Sequence, residues 1–356
     1  MTDLLELTAR LIDIPSESHH EVAITEWIET ALRADAPWLD VERVGLNVVA
    51  RTHLDRPHRL VIAGHTDTVP INANVPSRRD GDVLWGCGAS DMKSGLAVML
   101  ELARTVADPQ VDVTYVFYEA EEVSGEFNGL RKLAEDRPDL LAGDVALLGE
   151  PTDGVIEAGC QGTMRVRVTL AGRRAHTARP WMGRNAIHRG GEVLAVLATY
   201  DARRPLIDGC EFREALQAVH IEGGVAGNVV PDRVTITMNH RFAPDRTAAD
   251  AEAHLRELLA PVLEDGDEFE VVDAAEGATP ALDHPVMAAL IGRNGLTVRS
   301  KLGWTDVARF SALGVPAVNF GPGDPMLAHK QEEFVPVEHL VRCERQLSDW
   351  LTGVVG

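Results

Sequence analysis

VTYVFYEAEE, residues 113–122, passes from an apolar run into a cluster of carboxylates with no polar spacer between them. Six consecutive residues rich in Val, Tyr and Phe read as a strand buried on both faces, the kind found inside a sheet covered by helices. Glu119, Glu121 and Glu122 then stand at its carboxyl end, with Glu126 shortly after. Acidic clusters are usually solvated faces. This one follows a buried strand directly, where side chains point into a cleft. Adjacent carboxylates repel, so a site that keeps both needs a cation or a raised pKa. A metal divides the labour: one carboxylate coordinates, and the other takes a proton from water.

Working outward, the same design recurs. LVIAGHTDTVP (60–70) ends an apolar strand in His65-Thr66-Asp67, and VALLGEPT (145–152) ends another in Glu150. In open α/β sheets, ligands bind just beyond the carboxyl ends of strands. Between them, WGCGASDMKSG (85–95) is a glycine-bearing loop that opens a helical pattern from Met92 to about Val106 and carries Asp91 at its mouth. Late in the chain, NFGPGDPMLAHKQEEF (319–334) places His329 after a strand and a Gly/Pro-rich loop. Each has a bland alternative: a surface His beside a turn, a helix cap at Ser90 or Asp91, a turn carboxylate before Pro151. Jointly they set His and carboxylates at the ends of successive strands. Hard oxygen donors with imidazole suit zinc or a similar divalent ion, and no thiolate is needed.

The rest of the chain falls into two styles. Residues 3–14 and 21–34 read as helices, and strands 60–63, 113–118 and 145–148 alternate with helices, which predicts an α/β domain with a mixed, mostly parallel sheet flanked by helices. From Met164 to Leu170 the pattern alternates apolar and polar, predicting a strand with one wet face. Helices near 185–200 and 248–263 and strands at 219–222 and 234–238 complete an α+β domain. Residues 285–294, 317–320 and 337 onward return to the first style. The expected organisation is therefore residues 1–164 and 285–356 as one domain, with 165–284 inserted into it.

Composition narrows the function classes. With 34 basic and 55 acidic residues the formal charge is −21, which repels nucleic acid and anionic membrane surfaces. Cys87, Cys160, Cys210 and Cys343 stand alone, with no C-x-x-C pair, so neither a disulfide framework nor a cysteine zinc knuckle is expected. No G-x-S-x-G elbow occurs, and no cysteine has a paired His context, which disfavours a serine or cysteine hydrolase. The amino terminus, MTDLLELTARLIDIPS, reads as an amphipathic helix without the basic start of a signal peptide. No stretch approaches the ~18 apolar residues of a membrane span, so a cytoplasmic location is the expectation.

The ordered set HTDTVP (65–70), GCGASDMKSG (86–95), EAEE (119–122), GEPT (149–152), RAHTARP (174–180), GNVVP (227–231) and the late His329 resembles the co-catalytic zinc aminoacylase and carboxypeptidase family over almost the full length. The resemblance implies two zinc ions, a pair that cobalt can replace. His65, Asp91 and Glu150 would hold one and Asp91, Glu122 and His329 the other, so Asp91 bridges. It implies Glu121 as general base, Asp67 as the residue orienting His65, and a cis peptide after Asp91. It also implies that the inserted domain is a dimerisation and lid domain, with His176 acting across a homodimer on the oxyanion. Asn228 and Arg241 resemble the family's substrate contacts. Within the family, LLGEPT, IEAGCQGTMR, RAHTARPWMGRNAIH and KLGWTDVARF point to the branch that hydrolyses N-succinyl-LL-2,6-diaminopimelate. Branches acting on acetylornithine, other N-acyl amino acids or dipeptides share the metal motifs. That substrate carries three carboxylates, and the arginines crowding 165–189, Arg179 among them, are candidates to receive one or two. A metal-free binding protein on the same fold remains the alternative of another class, against which all six central residues are present. Two departures stand out: Gly303-Trp304-Thr305-Asp306 puts a bulky Trp in a loop the family keeps small, and Ser94 precedes Gly95 where a Gly commonly follows Asp-Met-Lys.

Overall fold

The computed structural model describes residues 4–353. The chain divides into two compact units: residues 1–159, 280–299 and 306–356 in the first, and 160–279 with 300–305 in the second.

The first unit is built on an eight-stranded mixed sheet. Its order is Asp40–Val44, Asn47–Arg51, Asp112–Tyr118, Arg59–His65, Val145–Leu148, Ala317–Asn319, Ile156–Ala158 and Val298–Ser300. The centre is parallel: Arg59–His65 pairs with Asp112–Tyr118 on one side and Val145–Leu148 on the other, and Val145–Leu148 pairs with Ala317–Asn319. Every residue of Asp112–Tyr118 and Val145–Leu148 is buried, which is why these runs show no alternation in the sequence. Helices Leu4–Ile12, Lys93–Thr105 and Val337–Thr352 pack on one another and cover sheet residues. Gly95 permits a close approach, because a Cβ there would lie 2.2 Å from the Gly149 carbonyl oxygen. Helix Lys93–Thr105 thus sits directly against the backbone that presents Glu150. A small three-stranded sheet (Arg78–Asp80, Val83–Trp85, Phe334–Pro336) anchors the start of the Asp91 loop and the end of the segment that carries His329.

The second unit is a four-stranded antiparallel sheet, ordered Ala215–Gly223, Arg233–Phe242, Gly162–Ala171 and Glu268–Ala275. Met164, Val166, Val168 and Leu170 form one core with Ala186 and Val193 of helix Ala186–Ala198 and Ala251, Leu255 and Leu259 of helix Ala248–Leu259. The second helix stops at Leu259 rather than near 263, because Pro261 has no N–H to continue the helical hydrogen-bond ladder. Ser300–Thr305 belongs to this unit through bonds such as Gln161 Nε2 to the Leu302 carbonyl (3.2 Å) and Trp304 Nε1 to the Glu276 carbonyl (3.1 Å). Among the described residues, no helix is long and apolar enough to cross a membrane.

Candidate metal centre

Parallel strands deliver their carboxyl ends to one edge of the sheet, and the first unit gathers its chemistry there. His65 is the last residue of Arg59–His65 and is 1% exposed. Its Nδ1 lies 3.0 Å from the Asp67 carbonyl oxygen, so a proton on Nδ1 is donated there. That leaves the Nε2 lone pair facing Asp91 Oδ1 at 3.2 Å. The other Asp91 oxygen, Oδ2, lies 3.5 Å from His329 Nε2, which is 3.0 Å from Glu122 Oε1. Ligand atoms of His65, Asp91 and Glu150 lie within 4.8 Å of one another, as do those of Asp91, Glu122 and His329. Asp91 is common to both clusters and turns one oxygen to each.

Lone pairs at these separations repel unless a proton or a cation lies between them. The electrostatics express this demand. Burial alone would lower the His65 pKa, yet its bonds to Asp67 and Asp91 raise it well above the ordinary value. Bonds with Asp91 and Glu122 push His329 up to about 10. Burial would raise Asp91, but the two histidines hold it well below the usual carboxylate range. Imidazole and carboxylate donors in two overlapping sets fit a pair of divalent ions of the zinc type.

The surrounding shell is held by groups distant in sequence. The Asp67 carboxylate accepts from the backbone N–H groups of Glu121 (3.0 Å) and Glu122 (3.1 Å) and from Ser18 Oγ (2.7 Å). It therefore fixes the glutamate pair as much as it orients His65. Ala120, just before that pair, adopts a left-handed φ of 56°, and its N–H donates to Glu21 Oε1 at 3.1 Å. His329 is also left-handed, at 64°, and the Asp91–Met92 peptide is cis. Burial raises the Glu121 pKa well above its ordinary value; His65 opposes this, while Asp306, Glu150 and Glu122 add to it. Two residues were given no role in the sequence reading. Asp306 is buried, accepts from Asn128 Nδ2 at 2.9 Å and acts on Glu121. Glu333 accepts from the backbone N–H groups of Gly88 (3.0 Å), Ser90 (2.7 Å) and Asp91 (2.9 Å), cradling the loop that carries Asp91.

His176, Asn228, Arg179 and Arg241 all lie in the second unit. The His176 and Asn228 loops run together, with a bridge between His176 and Val229 and a bond from Thr177 N to the Asn228 carbonyl. His176 is exposed, and its Nδ1 accepts from Ala178 N–H at 3.0 Å, so the neutral ring carries its proton on Nε2 and presents it outward as a donor. Most arginines of 165–189 are engaged: Arg165 with Asp273, Arg167 with Glu270, Arg174 with Asp232, Arg184 with Glu264 and Arg189 with Asp267. Arg173 donates to the Met182 carbonyl. Arg179 and Arg241 have no ion-pair partner among the described residues, and burial lowers the Arg241 pKa, followed by the nearby charge of Arg165.

The chain belongs to the peptidase family M20/M25/M40, whose pattern matches residues 61–352, and it is a metal-dependent amidohydrolase. A Mycobacterium tuberculosis chain, provisionally named succinyl-diaminopimelate desuccinylase DapE, is 53% identical over 353 residues, covering 99% of this chain and 98% of that one. The succinyl-diaminopimelate desuccinylase of Corynebacterium glutamicum is 47% identical over 355 residues, covering 98% and 96%. In fold, a crystal structure of a Staphylococcus aureus tripeptidase matches with a TM-score of 0.79 at 22% identity, over 99% of this chain and 98% of that one.

Proposed function

We propose that this chain hydrolyses N-succinyl-LL-2,6-diaminopimelate to succinate and LL-2,6-diaminopimelate, a step of lysine and diaminopimelate biosynthesis. The likeness to two desuccinylases over nearly the whole chain carries the choice of substrate. The overlapping clusters that share Asp91 carry the chemistry. His65, Asp91 and Glu150 hold one zinc, and Asp91, Glu122 and His329 the other. When bound, the metal pair acidifies a water and polarises the amide carbonyl. Glu121, with its raised proton affinity, takes the proton of the attacking water and returns it to the leaving nitrogen. Asp67 keeps Glu121 and Glu122 in register through their backbone N–H groups. Arg241 and Arg179, which have no ion-pair partner among the described residues, receive substrate carboxylates, and Asn228 adds a hydrogen bond.

The second unit, expected from the sequence at 165–284 and found at 160–279 with 300–305, serves as the lid and dimerisation domain of a homodimer. His176 of a second copy brings its Nε2–H to the oxyanion, an interaction worth several kcal/mol when preorganised. Support for self-association lies in the edge strand Ala215–Gly223, which exposes Val219 and Ile221, and in helix Ala186–Ala198, which exposes Ile187 and Leu194. Unpaired, apolar edge strands are templates for pairing.

The test is a panel of N-succinyl-diaminopimelate, N-acetylornithine, other N-acyl amino acids and dipeptides, offered to metal-stripped and zinc-restored protein. Activity is expected only after zinc, with at least tenfold higher kcat/KM for the succinylated compound. Equal rates on acetylornithine would remove the substrate assignment. Glu121→Gln is expected to retain two zincs and lose about 10²–10⁴-fold in kcat; full activity in that variant would remove Glu121 as base.

A further inference from the structure

A second group of ligand-type side chains lies at the opposite end of the same strands. His58 immediately precedes strand Arg59–His65, Asp144 immediately precedes Val145–Leu148, and His284 caps helix Pro285–Asn294. All three belong to the first unit. A seven-residue strand separates His58 from His65, so the two sites stand roughly 20 Å apart. One ligand atom from each of the three lies within 4.8 Å of the other two. The rings of His58 and His284 meet edge-on, with centroids 5.7 Å apart.

We propose that His58, Asp144 and His284 form a further binding site for a divalent transition cation, separate from the catalytic centre. His58 Nδ1 is buried and has no hydrogen-bond partner. A desolvated lone pair is costly to leave unsatisfied, and Asp144 Oδ1 is 3.7 Å away. That separation is too long for a hydrogen bond, but two ligands on one tetrahedral zinc, at bonds of 2.0–2.2 Å, stand about 3.4 Å apart. Asp144 is already oriented, since its Oδ2 accepts from Arg59 N–H at 2.7 Å and leaves Oδ1 turned toward His58. A ligating carboxylate held by a backbone donor is the usual supporting arrangement around a bound metal.

His284 Nδ1 accepts from Val286 N–H over a long 3.3 Å, a bond the ring gives up when it ligates. Neighbouring cationic heads are engaged elsewhere: Arg56 with Asp108, and Arg59 with Thr114 Oγ1 and the Thr52 carbonyl. Two imidazoles and one carboxylate favour zinc, nickel or copper over magnesium or calcium, and water completes the coordination. The bound ion ties the approaches to two central strands to the start of helix Pro285–Asn294.

The experiment titrates chelator-stripped protein with zinc chloride, removes free metal and counts bound zinc by atomic emission. Wild type is expected to hold one equivalent more than His58→Gln or His284→Asn. Zinc added beyond the two equivalents of the catalytic centre is expected to raise the thermal midpoint of wild type and not of the variants, while kcat in zinc stays within twofold. Asn is a good helix cap, so His284→Asn folds without its ligand nitrogen. Equal zinc counts in wild type and His284→Asn overturn the proposal. Failure at the catalytic centre would instead lower the count of all three proteins together.

Discussion

Glu333 shows how one carboxylate sets a metal-site geometry without touching the reaction. Its two oxygens share three backbone donors, Oε2 taking Gly88 N–H and Oε1 taking Ser90 and Asp91 N–H. Burial nevertheless raises its pKa to about 7, against the lowering effect of those three bonds. Glu333→Gln keeps the shape but turns an amide NH₂ toward at least one donor. The Asp91 loop then loses an anchor, and Asp91 its aim at both histidines. Metal affinity or kcat is expected to fall about 10–100-fold, measured against a competing chelator, with the far-ultraviolet circular dichroism unchanged. Wild-type metal affinity and kcat would show that the loop is held by other means. Neither this residue nor Asp306 was legible in the sequence, and the reason is physical. Their contacts span 245 and 178 residues, and a carboxylate beside a second carboxylate, as in Glu332-Glu333, has the local look of a solvated surface. His65, Asp91, Glu122, Glu150 and His329 were legible as candidates because strand ends and loop mouths leave a pattern in one dimension.

Two elements carry expectations of their own. Helix Lys93–Thr105 abuts the backbone before Glu150 only because Gly95 lacks a side chain. In Gly95→Ala the new Cβ meets a carbonyl oxygen, which cannot rotate away as a side chain would. A loss of about 1–3 kcal/mol is expected, the usual range for overpacking, together with weaker metal binding through a displaced Glu150. Urea unfolding and a metal titration read both effects, and an unchanged unfolding midpoint would contradict the close approach. The edge strand Ala215–Gly223 is exposed along most of its length. Ile221→Glu is expected to convert the proposed homodimer to monomer in light scattering, with kcat falling at least tenfold and zinc content unchanged. A monomer of full activity would refute the role of His176 across the interface. The elements themselves were uneven to read. The buried parallel strands declared themselves as apolar runs. Strands Asp40–Val44 and Glu268–Ala275 did not, because both lie at sheet edges and carry polar residues, where pairing with a neighbour rather than intrinsic propensity decides the conformation.

At the scale of the whole molecule, the −21 charge keeps the chain acidic at neutral pH, yet one of its acid-sensitive points is a histidine. His240 is fully buried in the second unit, and neither ring nitrogen has a hydrogen-bond partner. Burial pushes its pKa down to about 4, followed by the charges of His254 and Arg246. The unfolded chain, with an ordinary value near 6.5, binds a proton between pH 6.5 and 4 that the folded chain refuses. Stability therefore rises with pH across that window and is lost as pH falls through it, by about 3 kcal/mol when fully expressed. His240→Phe removes the titration and keeps an aromatic ring beside Tyr200 and Phe242. Carboxylates elsewhere titrate alike in both proteins, so the comparison isolates this group. The stability difference between pH 7 and pH 4.5, from urea unfolding of the second unit's transition, is expected to be about 2–3 kcal/mol smaller in the variant. The same difference in both proteins would mean that the folded chain opens to protonate His240 without unfolding, and the buried neutral imidazole would no longer account for acid sensitivity.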